Sequence, residues 1–465
     1  MRNKADRPDT GLPPGEGDVN QSPYRAAWQE RLGPDARALL AEDERYFLRQ
    51  SLSTPCLNAL AGASGSRIAD MDGREYLDFH GNSVHQLGFA HPAVVAALQH
   101  QLEELSFSPR RYANRAAVNL AKALVESAPE PLGKALFAPG GTLAVGMALK
   151  LARYATGRFK TVSFWDSFHG ASLDAVSIGG EALFRQGVGP LLPGAVHVPP
   201  PEPGRCIHPK ETDCGRCGLA CAEHLEYVMA HEGDVAAVIA EPIRCTTASP
   251  PPPGFWPAVR EICNRHGALL IFDETAVCLG RTGRLFACEH FGADPDILVL
   301  GKGLGGGVFP MAAMLARPEL DVAPQAALGH YTHEKSPIGA ACGLAVLETI
   351  EREDLVTRSA ESGAYLLERL QAMRNDPRLD AVITDIRGLG LTLAVELRHP
   401  DGKEAARDLA DRVMYACLER GLSFKTSHGV VLTLTPPLNI DTQDLDLAAD
   451  IVAAGLAHAL DHPTA

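Results

Sequence analysis

The sequence predicts an α/β protein: a large domain on a mostly parallel sheet covered by helices, with a smaller α+β domain beside it. Three observations carry that prediction. Apolar strand-like runs alternate with amphipathic helical stretches up to about residue 325, the pattern of strand–helix–strand units. Residues 331–465 instead mix long helical patterns with short strands such as "GLGLTLAVEL" and "GVVLTLTPPL". The chain has 465 residues, 46% hydrophobic and 22% charged, an ordinary soluble composition with length enough for two cores.

Taken in order, residues 1–22 are rich in Pro, Gly and Asp and are expected to form a disordered tail. Residues 23–75 are expected to contribute to the small domain, opening with a charged helical stretch to about Leu52. "GSRIADMDGREYLDFHGN" reads as a hairpin turning at Asp72-Gly73, a turn-forming pair. The large domain is expected over 76–330. Its strands are "KALFA", "KTVSFW", "VAAVIAEP", "ALLIFDE", "DILVLGK" and "FPMAAMLA", with helices such as "LAVGMALKLARYATG" and "FWPAVREICNRHG" between them. Residues 331–465 form the C-terminal small domain.

The formal charge is -14 with no Lys/Arg-rich block, which argues against nucleic acid or an acidic membrane as partner. An anionic ligand must therefore be held by a few local cations. The first residues, "MRNKADRPDTGLPPGEGD", lack the apolar core of a signal peptide. No later apolar run reaches about 18 residues, so a cytoplasmic protein is expected. Four of the 11 cysteines cluster as Cys206, Cys214, Cys217 and Cys221. That spacing fits a structural zinc site, and it also fits reduced thiols in a surface insertion. The usual second CxxC is missing, so no metal is assigned.

"LVLGKGLGGGVFP" places Lys302 among five glycines after an apolar run. Gly301, Gly303 and Gly306 satisfy the dinucleotide fingerprint literally, but that motif must open directly into a helix. Here Pro310 and "MAAMLA" follow, which reads as another buried strand. A lysine forming a Schiff base with pyridoxal phosphate (PLP) needs different company: an acid for the ring nitrogen, a phosphate cup and a flat wall. Asp273 ends an apolar strand, Gly141 and Thr142 open a helix whose N–H groups and dipole suit a phosphate, and Phe168 follows another strand. Each is unremarkable alone: a cap, a turn, a core ring. Four of them at successive strand ends point to one site.

"IFDETAVCLGRTGRLFACEHFGADPDILVLGKGLGGG" resembles the signature of the class III, fold type I, PLP-dependent aminotransferase family. The resemblance spans about residues 45–460. It implies a homodimer, Lys302 as the Schiff-base lysine and Asp273 at the pyridine nitrogen. It further implies Gly141, Thr142, Phe168, His169, Glu241 and Thr275 around the cofactor, and Thr332 of "GHYTHEKSP" reaching the partner's phosphate.

The departures from that pattern concern the substrate. Many members read "RxxPPL" near the C-terminus, where the arginine grips a carboxylate; this chain reads "TLTPPL", with Thr433 in that place. A glutamate that can neutralise the arginine is replaced by Thr246, the glutamine after "DEV" by Ala276, and the "SGTEA" glutamate by Leu143. Either another arginine grips a carboxylate or the substrate carries a different anion. Arg110, Arg111 and Arg185 are the expected substrate cations, with Arg244, Lys335 and Lys425 also close in sequence to matched segments. The strings "DFHGNSVHQLGFAHP", "FSPRRY" and "WDSFHGASLDAVSIGGEALFR" look most like a family subgroup of ammonia-lyases acting on (R)-1-hydroxy-2-aminoethylphosphonate, an amino-phosphonate, in phosphonate catabolism. An ω-aminotransferase and a phospho-lyase on an O-phosphoamine are the competing readings. A non-catalytic relative would be expected to lack Lys302 or Asp273, and both are present.

Overall fold

The computed structural model describes residues 22–48, 50, 58–203, 206–207 and 217–462. The expected tail, apart from Ser22, and Cys214 lie outside the described residues. Fifteen strands among them form three sheets. In chain order they begin with β1 (Leu60–Ser64), β2 (Arg67–Asp70), β3 (Glu75–Asp78), β4 (Lys134–Ala138) and β5 (Lys160–Phe164). Then come β6 (Ala195–Val198), β7 (Val235–Ala240), β8 (Leu269–Asp273), β9 (Ile297–Leu300) and β10 (Ala312–Ala316). The C-terminal strands are β11 (Ile383–Leu389), β12 (Thr392–Leu397), β13 (Leu422–Ser423), β14 (Lys425–Ser427) and β15 (Val431–Leu434).

The central sheet has the order β4-β10-β9-β8-β7-β5-β6, and only β10 runs against its neighbours. Every residue of β7, β9 and β10 is buried. That is the sequence logic of a sheet covered on both faces, where apolar runs replace alternation. The helix Gly141–Thr156 covers one face with Ala144, Val145, Ala148 and Leu151. On the other face the helix Phe255–His266 buries Trp256, whose indole N–H donates to the Pro242 carbonyl at 2.8 Å. Gly267, at φ +62°, ends that helix in the left-handed conformation a non-glycine rarely takes.

The segment after Gly306 is a strand, as its sequence predicts, but antiparallel. Lys302 opens only a single 3₁₀ turn, Lys302–Gly305. The helix that a dinucleotide-binding motif requires is therefore not there. The hairpin at Asp72-Gly73 joins β2 and β3, and β13 adds in parallel to β3, tying the N-terminal segment to the C-terminal one. The third sheet, β11-β12-β15-β14, corrects one expectation. "GLGLTLAVEL" is the end of one strand, a turn and the whole of the next, not a single strand. Gly390 turns the chain at φ +52°, and the Leu391 N–H donates to the Arg281 carbonyl at 3.0 Å. Among the described residues no helix is long and apolar enough to cross a membrane.

Candidate active site

The carboxyl ends of β4, β5, β7, β8 and β9 meet at one edge of the central sheet, around a cavity of about 470 Å³. Ligands of open α/β sheets bind at that edge. β4 delivers Gly140, Gly141 and Thr142; β5 delivers Phe168 and His169; β7 delivers Glu241; β8 delivers Asp273 and Thr275; β9 delivers Lys302. Because β10 is antiparallel, its entry segment Gly307–Met311 returns to the same edge and walls the cavity. That wall, together with Val84 and Cys245, was not foreseen from sequence. The glycine run and Pro310 marked a loop without saying what it would face.

Asp273 sits at the back of the cavity, buried and fixed from two sides. Its Oδ1 accepts from the Thr275 backbone N–H at 3.1 Å and from the Thr275 hydroxyl, while Oδ2 lies 2.9 Å from His169 Nδ1. His169 Nε2, on the far side of the ring, is buried without a hydrogen-bond partner among the described residues. The neighbouring Glu274 faces away, accepting from the Ala287 and Cys288 N–H groups at 2.6 and 2.7 Å. Burial pushes its carboxyl up to about 7 against those donors. Glu241 accepts from the Phe168 N–H at 3.3 Å and pairs with Arg244, which also pairs with Glu181.

Lys302 adopts φ +44° at the head of its turn, a left-handed conformation that costs a non-glycine about 1–3 kcal/mol and collects at functional sites. The glycine after it packs closely: a Cβ on Gly303 would lie 1.9 Å from Gln86 Oε1, so the buried Gln86 side chain would have to move. The glycines make room for the backbone at Lys302. The helix Gly141–Thr156 presents its N-terminus to the cavity with Gly140 as N-cap and no side chain capping its first turn. Its N–H groups are available to an anion.

The substrate cations expected from sequence are placed elsewhere in this chain. Arg110 Nη2 lies 2.7 Å from His330 Nε2 in a separate groove, and Arg111 is exposed. Arg185 stacks over Trp165 and reaches His197 Nε2 at 3.3 Å. None of the three lines the Lys302 cavity. Thr332 is exposed and also lies outside it. Thr433 and Thr246, the two departures at the carboxylate grip, touch: the Thr433 hydroxyl donates to the Thr246 carbonyl at 2.5 Å. Among the described residues no group of three or more His, Cys, Asp or Glu is placed to hold a metal ion.

The pattern of class-III aminotransferases matches residues 50–456. The chain belongs to that family. Its relatives perform different reactions. The (R)-1-hydroxy-2-aminoethylphosphonate ammonia-lyase of Vibrio splendidus (strain 12B01) is 45% identical, over 95% of each chain. The leucine/methionine racemase of Thermococcus litoralis is 34% identical, over 89% of this chain and 94% of that one. An amine transaminase from an uncultivated Pseudomonas species, solved in its PLP-bound form, superposes with a TM-score of 0.81 at 31% identity, over 87% and 96%. The fold is that of the fold type I PLP enzymes, and the cofactor is PLP. The cavity fits it chemically, with an uncapped helix N-terminus for a phosphate, a buried carboxylate for a ring nitrogen and a lysine on its wall.

Proposed function

We propose that this enzyme is a PLP-dependent ammonia-lyase that converts (R)-1-hydroxy-2-aminoethylphosphonate to phosphonoacetaldehyde and ammonia in phosphonate catabolism. The observation that carries the reading is the contact between Thr433 and Thr246, which stands where many family members keep an arginine and its countercharge. A transaminase must seat two amino donors in turn, commonly including a dicarboxylate, and this chain has given up that grip. The 45% identical relative bearing the ammonia-lyase name supports the same choice.

In this reading PLP, when bound, supplies an electron sink for the carbon that bears the substrate amine. Lys302 holds the cofactor, yields to the substrate amine, and takes the proton from the amine-bearing carbon. Asp273 would face the ring nitrogen, kept in place by Thr275 and His169. Gly141 and Thr142 hold the phosphate, while Phe168 and Glu241 form the side wall. The hydroxyl on the neighbouring carbon leaves as water; the enamine so formed tautomerises and is hydrolysed. One water leaves and one returns, so substrate becomes aldehyde plus ammonia with no second amino substrate. The reading includes a homodimer in which the exposed Thr332 reaches the partner's phosphate site.

Incubating the holoenzyme with (R)-1-hydroxy-2-aminoethylphosphonate and no keto acid tests the proposal. Repeated release of ammonia and phosphonoacetaldehyde is expected. Product only after a keto acceptor is added would make the protein an aminotransferase, and release of inorganic phosphate from an O-phosphoamine would make it a phospho-lyase.

A further inference from the structure

Residues 273–275 stand at the carboxyl end of β8, where successive side chains alternate. Asp273 and Thr275 line the Lys302 cavity, and Glu274 between them points away from it. Thr275 is the junction of that wall. A Cβ on Gly141 would meet its Cγ2 at 2.9 Å, and one on Gly301 would meet it at 2.8 Å. Its methyl therefore packs between the helix that opens at Gly141 and the backbone that leads into Lys302. Its hydroxyl and N–H hold Asp273. A small displacement of this segment reaches the acid, the helix N-terminus and the lysine together.

Glu274 fixes the segment from behind. It is fully buried. One carboxylate oxygen accepts from the Ala287 N–H and the other from the Cys288 N–H, at the head of the 3₁₀ turn Ala287–His290. The Glu274 N–H itself donates to the Val299 carbonyl of β9 at 2.9 Å. The anchored turn supports a second wall, because Ala287 clusters with Ala276 and against Cys245, both of which line the cavity. Burying a carboxylate is costly, so the two N–H groups are what it is kept for. A neutral amide or acid offers one good acceptor where two donors wait, and only the ionised form satisfies both. The titratable groups around it are the Cys278 and Cys288 thiols, which burial holds protonated, and Glu289, whose charge raises Glu274.

We propose that Glu274 is a positioning residue for the cofactor site: as a carboxylate clamped to the Ala287–Cys288 backbone, it keeps Asp273 and Thr275 in register with Gly141 and Lys302. The site therefore tightens and loosens with its ionisation. Burial places the Glu274 carboxyl at about 7. Acidification through that value protonates it, withdraws one acceptor and leaves one buried N–H unpaired, a costly state. The proposal rests on the reading that Asp273 meets the ring nitrogen, and it holds for lyase and transaminase alike.

Visible circular dichroism of the holoenzyme, which reads how the bound cofactor is seated, tests it beside kcat and KM at pH values on both sides of about 7. The wild-type band is expected to shrink as pH falls through that value. Glu274→Gln is expected to lower kcat by up to about 100-fold, the scale of misplacing a catalytic group by about 1 Å, with KM little changed. Its band should be weaker at every pH and should lose the step. A wild-type kcat and band, or a step that persists in the variant, overturns the proposal. If Glu274→Gln does not fold, Glu289→Gln serves: without that charge the step should move to lower pH, and an unmoved step overturns the proposal. Asp273→Asn judges the underlying reading separately. A kcat near wild type in Asp273→Asn, with the Glu274→Gln changes present, keeps the anchor and removes Asp273 from the ring nitrogen. A large loss in Asp273→Asn with none in Glu274→Gln does the reverse.

Discussion

Asp273 owes its readiness to two neighbours. With Thr275 on Oδ1 and His169 on Oδ2, the carboxylate is held in one orientation on the cavity wall. Replacing it with Asn keeps the shape and removes the charge, and an amide NH₂ would meet a protonated ring nitrogen donor to donor. Asp273→Asn is expected to lower kcat by at least about 100-fold, the scale of losing one preorganised electrostatic partner. The cofactor should remain bound, because Lys302 and the Gly141 helix are untouched. Steady-state kinetics beside the visible absorbance of the bound cofactor would decide; a kcat within a few-fold of wild type would remove Asp273 from the ring nitrogen.

At the scale of elements, the site depends on how closely the turn after β5 meets the helix after β4. Gly170 adopts φ +125°, and a Cβ there would lie 2.4 Å from Thr142 Oγ1 and 2.9 Å from Thr142 Cα. The Thr142 hydroxyl is already engaged by Ser172, at 2.6 Å from its Oγ and 3.2 Å from its N–H. Gly170→Ala is therefore expected to push the turn off the helix N-terminus. The strain should lower stability by about 1–3 kcal/mol and speed the loss of cofactor on dialysis. An unchanged Tm together with unchanged cofactor retention would contradict that account. This contact was invisible in the sequence, where "WDSFHGAS" and "APGGT" lie 30 residues apart between Thr142 and Ser172. What the sequence did show was each strand of the central sheet except β6, most plainly β7, β9 and β10, which are buried on both faces and apolar throughout. Direction was not legible: "FPMAAMLA" reads the same parallel or antiparallel. β1 was missed because "LAGAS" is exposed along its whole length and carries no alternation. The separation of Arg110, Arg111 and Arg185 from the cavity was equally hidden, since adjacency in sequence to a site segment does not fix where a long side chain points.

For the whole molecule, the informative place is the seam where N-terminal, central and C-terminal parts meet. His85 is fully buried there, its Nε2 3.2 Å from the Asp78 carbonyl. The Arg281 side chain crosses the same seam to the Leu391 and Pro436 carbonyls. Burial, then the Arg281 charge, holds His85 down to about 3, from an ordinary 6.5. Burial raises the Asp78 carboxyl to about 6, from 3.8. The two act in opposite senses. Between about 6.5 and 3 the unfolded chain protonates His85 and the folded one does not, so this group's stability is full above 6.5 and is lost as pH falls. Between about 6 and 3.8 the folded chain keeps Asp78 protonated while the unfolded one ionises, so this group's contribution is full below 3.8 and is lost as pH rises toward 6. In the wild type the two slopes offset across roughly pH 4–6. Relative to wild type, His85→Gln is expected to gain stability on acidification below 6.5, and Asp78→Asn to lose it on acidification below 6. Each slope should be roughly 1 kcal/mol per pH unit. Urea unfolding of the three proteins at pH 7.5, 6 and 5, each value set by those windows, measures both. If the two variants shift with pH in the same direction, the seam does not hold a neutral histidine beside a protonated acid.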